Sequence, residues 1–223
     1  MRKGDEKRQA LLNTAESIFC QKGYEAASIQ DFLAASGMSK GGFYHHFTGK
    51  EAVMQALCER HAALARAAAQ EALDRTDAPI ARINAVLRAF LPLRTEEMNL
   101  LRAMLPCLNR MECRSFVLTY QECLVQAFLP LLAQETDRSA QADVLHPQTD
   151  GMEHAVLHLL SRAFLDLAEY LAAVQQANAS CEPAALLPIL ERYRRAVELL
   201  LDAPYGTVEI IRAEELAEFG IRN

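Results

Sequence analysis

The residues best suited to chemistry in this chain are Ser39, Lys40, Gly41, Tyr44, His45 and His46, interleaved with Gly42, Phe43 and Phe47. On a helix, Lys40, Gly41, Tyr44 and His45 share one face, while Phe43 and Phe47, four apart, share the other. Lys40 can donate to phosphate oxygens or to guanine acceptors, and Tyr44, His45 and His46 can donate to phosphate. Two glycines in a first turn cost roughly 1 kcal/mol each relative to alanine, a poor choice for a helix with only a structural role. Without a Cβ, however, the helix N-terminus, with its free N–H groups and partial positive charge, can approach a phosphate or base edge closely. The chemistry implied is non-covalent contact with nucleic acid.

Such a face is useful only if neighbouring elements hold it still. A helix is predicted over residues 5–22, with Leu11, Ala15, Ile18 and Phe19 on one face and Gly23 ending it. Ser28, with Asp31 three residues on, caps a short second helix whose inward face is Ile29, Phe32 and Leu33, and Gly37 stops it. Ser39 caps a third helix to about Phe47, and Thr48 with Glu51 opens a fourth that reaches about Asp74. Phe43 and Phe47 then pack on Phe32, Leu33, Ile18 and Phe19. Two short helices joined by a glycine-containing turn form the geometry that lays the second helix in the DNA major groove. Ser28 and Lys50 stand at its two ends, placed to grip the phosphate backbone.

Gly23-Tyr24, Ser28-Ile29-Gln30-Asp31, the run Ser36 to Phe47 and Lys50-Glu51 resemble the TetR-type transcriptional regulators over about residues 5–55. Ala27 departs from that pattern, where the family often has a Thr or Ser that contacts phosphate, and leaves Ser28 as the substitute. The resemblance implies an all-α fold: three DNA-binding helices, then a helical domain of about six more that binds an effector and dimerises. It adds Gln30 to the DNA-facing set. It also implies a homodimer built by the last two long helices, a palindromic double-stranded operator, and repression relieved by a small molecule.

The rest of the sequence reads as helices at about residues 79–93, 95–109, 112–134, 149–177 and 183–203, with a short one near 213–219 and a polar loop over 135–148. Pro92, Pro106, Pro130 and Pro188 fall inside or near the ends of apolar patterns and are expected to stop or kink them. The domain boundary is placed after residue 50, leaving 51–223 as the effector-binding and dimerisation domain. Residues 149–177 carry apolar side chains on more than one face, so the helix needs covering twice, once by its own core and once by a partner. The interface candidates are Leu157, Leu160, Phe164, Leu171, Leu190, Tyr193 and Val197. Met98, Leu101, Met104, Leu105, Phe116, Tyr120 and Phe164 are the candidate pocket lining, since ligand sites are mostly apolar and methionine adapts to varied shapes. An alternative keeps the DNA-binding head and gives the second domain a protein partner in place of a small molecule.

The formal net charge of −6 argues against nucleic-acid binding only until it is divided. Residues 1–50 hold 7 Lys+Arg against 5 Asp+Glu, whereas the remainder holds 16 against 24. A mildly basic head on an acidic body is the expected reading. The charged N-terminus and the absence of a long apolar run exclude a signal peptide and a membrane span, and point to the cytoplasm. Six scattered cysteines without CxxC spacing suit reduced, buried thiols. His154 and His158, four apart, have a spacing that can hold a metal, with His146, Asp150 and Glu153 as possible third ligands, but the reading taken is solvent-facing or interface histidines. Cys58 and His61 are a weaker pair. No metal, cofactor or enzymatic motif is called.

Overall fold

The computed structural model describes residues 3–91, 111–147, 149, 151–177 and 183–211. Among the described residues there are eight helices and no strand: α1 (Lys3–Lys22), α2 (Ile29–Ser36), α3 (Lys40–His46), α4 (Lys50–Leu73), α5 (Pro79–Phe90), α6 (Met111–Gln141), α7 (Met152–Gln176) and α8 (Pro183–Leu201). The helices expected at 95–109 and 213–219 lie outside the described residues. No described helix is long and apolar enough to cross a membrane.

The described residues divide into two compact units, one within Met1–Ala62 and Arg94–Cys123, the other within Ala63–Leu93 and Leu124–Asn223. The division between these units falls inside α4, after Ala62. Val53, Met54 and Leu57, in the first half of α4, are buried, as are Leu11, Leu12 and Phe19 of α1.

In the first unit, each helix ends where the chain has a local reason to end it. Gly23 (φ 78°) and Gly37 (φ 65°) take the left-handed conformation that closes α1 and α2 at little steric cost. Ser28 caps α2 in a complete capping box with Asp31, and Ser39 caps α3 by accepting the Gly42 N–H at 3.1 Å. At α4 the cap position belongs to Gly49, whose carbonyl accepts the Val53 N–H at 3.3 Å, not to the expected Thr48. An aromatic chain forms the centre: Phe19 meets Phe32 edge-on at 5.4 Å, and Phe32 stacks with Phe43 at 6.4 Å.

In the second unit, α7 packs on both α8 and α5. Its core includes Ile83, Leu87, Phe90, Phe128, Leu132, Leu160, Leu186 and Val197, all buried, with Phe90 and Phe128 edge-on at 5.4 Å. The first half of the polar loop expected at 135–148 is helix, to Gln141. The ladder of α6 continues to Gln141 because Glu135 is 2% exposed and receives both the Nε and an Nη of Arg82, at 2.6 and 2.7 Å. Of the stop or kink expected at Pro130 and Pro188, the stop does not occur, since both lie inside α6 and α8 without ending them, and Pro92 and Pro106 lie outside the described residues. Buried neighbours on either side, Phe128, Leu131 and Leu132 for the one, Leu186 and Leu190 for the other, hold each helix together across the missing N–H.

Candidate nucleic-acid interface

The outer face of α3 is set by what its inner face buries. Phe43 is fully buried and Phe47, at the C-cap, is 4% exposed, so rotation of α3 is fixed and Lys40, Gly41, Tyr44 and His45 face solvent. Tyr44 keeps 48% of its surface exposed while its ring meets Phe43 edge-on at 5.3 Å, which aims the phenol outward on a held stem. His46 is half-buried with its ring against His45, centroids 5.1 Å apart. Ser39 and Gln30 are also exposed.

The two glycines answer to different constraints. A Cβ on Gly42 would stand 3.1 Å from Met38 Cγ and 3.3 Å from Ser39 Oγ, so this glycine fits the turn that precedes it. A Cβ on Gly41 would meet nothing within 4 Å. Internal packing gives no reason for glycine at 41, and that is the position an approaching phosphate would use.

Ser28 and Lys50 are already engaged inside the head. The Ser28 hydroxyl donates to Asp31 Oδ2 at 2.8 Å and accepts from the Asp31 N–H at 3.2 Å, while its own N–H donates to the same carboxylate at 2.9 Å. Lys50 Nζ donates to the carbonyls of Tyr24 and Glu25 at 2.9 and 3.4 Å and lies 4.4 Å from the Tyr24 ring centroid. Both residues hold the ends of the motif together. The Lys22 ammonium, bonded at 2.5 Å, and then the Ser28 hydroxyl and N–H, hold the Asp31 carboxyl down at about 2.

The contact between α1 and α4 is polar as well. Glu16 pairs with Arg60 and, at 2.7 Å, with the buried His61 Nε2, and Arg60 also reaches Asn13 Oδ1 at 2.7 Å. Burial pushes the Glu16 carboxyl up, but the His61 hydrogen bond and the neighbouring charges outweigh it and hold the group below its usual range. Cys58 is buried and its thiol is pushed up, first by that burial, which disfavours the thiolate a metal would need. Sequence reasoning missed Arg8, whose guanidinium lies 5.0 Å over the Phe47 ring and adds a cation beside the end of α3. One basic residue in a charged first helix carries no periodic signal.

Residues 11–57 match the family described as bacterial regulatory proteins, tetR family. Over that stretch the chain is similar to the TetR family. It is 40% identical over 55 residues to the HTH-type transcriptional regulator YerO of Bacillus subtilis, a match covering 25% of this chain and only 19% of YerO. It is 28% identical over 155 residues to the transposon Tn10 TetC protein of Escherichia coli, covering 67% of this chain and 78% of that protein. In fold it is similar to a TetR-family regulator of Pectobacterium atrosepticum, at 22% identity and a TM-score of 0.62, covering 92% of this chain and 99% of the other. Within this head, Ala27 is 3% exposed, so the position that departs from the family pattern packs inward.

The remaining candidates are distributed unevenly. Met98, Leu101, Met104 and Leu105 lie outside the described residues, and so do the side chains of Phe116 and Leu171. Tyr120 and Phe164 are both buried but belong to different compact units. Leu157, Leu160, Phe164, Leu190 and Val197 are buried within the single chain, and Tyr193 is half-buried with its hydroxyl donating to Asp166 at 2.6 Å. The first five therefore serve the core of their own unit. The helix expected to be apolar nearly all round carries a polar outer strip of His154, His158, Arg162 and Glu169, because its apolar residues converge on α5 and α8. Leu187 and Leu199 of α8 are the large apolar side chains left exposed there, at 51% and 63%. A cleft of about 620 Å³ runs between α8 and the segment after it, lined by Leu187, Leu190, Arg194, Val208 and Ile210 among others.

Proposed function

We propose that this protein is a sequence-specific DNA-binding transcriptional regulator acting as a homodimer in the cytoplasm. In this reading α3 enters the major groove, and Ser39, Lys40, Gly41, Tyr44 and His45 meet the DNA, with Gln30 and His46 at the edges. The observation that carries it is Gly41: a helix-destabilising residue on an exposed face, with no atom of its own head to make room for. Ser28 and Lys50 act chiefly by holding α2 and α4 at the ends of the motif, and each retains limited capacity for a phosphate. Two heads on a dimer read two half-sites, which makes the operator palindromic.

A small-molecule effector bound in the second unit releases the DNA by favouring a dimer geometry that no longer fits both half-sites. The second unit contains a cleft whose volume falls in the range of ligand sites, and its buried ionic groups, Arg82 with Glu135 and Glu198 with Arg194, are paired with one another rather than arranged for catalysis. A duplex selected from a random pool tests the reading: wild type is expected to shift it, Lys40→Ala and Tyr44→Ala to bind it at least about tenfold more weakly. Equal binding by all three proteins would overturn it.

A further inference from the structure

We propose that His154 and His158, on the first turns of α7, form a two-imidazole chelate for a divalent late transition-metal ion of the class nickel, copper or zinc. Four residues apart, the two rings leave the same helix face, and both are exposed to solvent. Their Nε2 atoms stand 3.3 Å apart and their ring centroids 4.4 Å apart. A metal held by two imidazole nitrogens at roughly 2.0–2.1 Å places those nitrogens about 3.4 Å apart at a tetrahedral angle and about 2.9 Å apart at the right angle of nickel or copper, a closure that a small rotation of two exposed rings supplies. The donor atoms are therefore already at chelating distance.

The helix beneath them is held in place. Val156, Leu157 and Leu160 are fully buried on its inner face, so His154 and His158 are fixed to solvent and share a rigid base. Arg162, the next residue on the same strip, is drawn away by Asp166 at 2.5 Å, which removes a competing cation from the donors. One ring donating to the other satisfies a single N–H, whereas an ion engages a lone pair of each ring at once. Among the described residues no group of three or more His, Cys, Asp or Glu is assembled, and Asp150 lies outside them; in this proposal the two imidazoles are the protein ligands, with water completing the coordination. Imidazole selects late transition metals over magnesium and calcium, which prefer oxygen ligands. Closing an i, i+4 staple here stiffens the start of α7, where the His154 N–H already bonds the Gly151 carbonyl at 3.2 Å.

The test is calorimetric titration of tag-free full-length protein with nickel chloride, with magnesium chloride as control ion. Wild type is expected to bind one nickel per chain in the micromolar range. His154→Ala and His158→Ala each lose at least about tenfold in affinity, since one imidazole cannot chelate. Nickel is further expected to slow amide hydrogen exchange over residues 152–161 in wild type and in neither variant. Both substitutions are at exposed helix positions, and far-UV circular dichroism checks that the variants are folded. Wild-type affinity equal to that of the variants, or tight binding that leaves exchange at 152–161 unchanged, would overturn the proposal.

Discussion

Gly41→Ala separates stability from function at a single residue. The added methyl meets nothing within 4 Å in the protein, so helix propensity alone predicts a gain of about 0.5–1 kcal/mol in unfolding free energy. If α3 faces DNA, the same methyl stands where a phosphate or base edge approaches, and binding falls by about tenfold, the order of one lost contact. Chemical denaturation and a gel-shift titration on the same preparation check both signs. Asp31 supplies a second residue-scale outcome. Its carboxyl ionises at about 2 against an ordinary 3.8, so its contribution is complete above the ordinary value and disappears as pH falls through the lower one. Asp31→Asn is expected to lower the Tm at neutral pH, with the gap to wild type closing towards pH 2.

At the scale of elements, α6 shows how a buried partner overrides a polar sequence. Glu135 looks like the start of a loop, yet it neutralises Arg82, which also donates to the carbonyls of Leu73 and Thr76 at 2.8 Å and so satisfies the end of α4. Glu135→Ala strands a buried guanidinium and is expected to cost about 3–5 kcal/mol in a urea melt. The double variant Arg82→Met, Glu135→Leu is expected to recover much of that while remaining below wild type by about 1–3 kcal/mol, because the Thr76 carbonyl loses the Arg82 donor and the Leu73 carbonyl keeps only the Thr76 N–H. Where α6 does end, Asp143 takes a left-handed φ of 59° and the Val144 N–H returns to the Ser139 carbonyl at 3.0 Å. Aspartate is one of the few residues besides glycine that adopt that conformation, so the helix stops there without a glycine to mark it in the sequence.

For the whole molecule, the division of charge and the proposed dimer give solution properties. Sedimentation is expected to report twice the 24.8 kDa chain mass at micromolar concentration. Replacing the exposed Leu199 by Glu, rather than the buried Leu157, is the substitution expected to weaken that association without unfolding the chain. Affinity for the selected duplex is expected to fall steeply with salt, and Lys40→Ala to lower the slope of log K against log salt by about 1 if Lys40 meets a phosphate. An unchanged slope would place Lys40 on a base edge or off the DNA altogether.

The helix-turn-helix head was legible in the amino-acid sequence because its determinants are local. Ser28 and Ser39 cap helices through their side-chain oxygens, Gly37 stops one through its left-handed backbone, and the i, i+4 pair Phe43 and Phe47 fixes which face of α3 points out. The second unit was legible only as helical. Leu157, Leu160 and Val197 read as surface for a second copy, but they are consumed within their own chain, because an apolar stripe records that it must be buried and not by what. Glu135 was misread for a related reason: a charged residue in a polar run is ambiguous taken alone, and a distant residue, Arg82, decided its conformation. The glycines divide the same way. Their cost was visible in sequence, but only the tertiary structure separated Gly42, crowded by Met38, from Gly41, which has nothing of its own protein to accommodate.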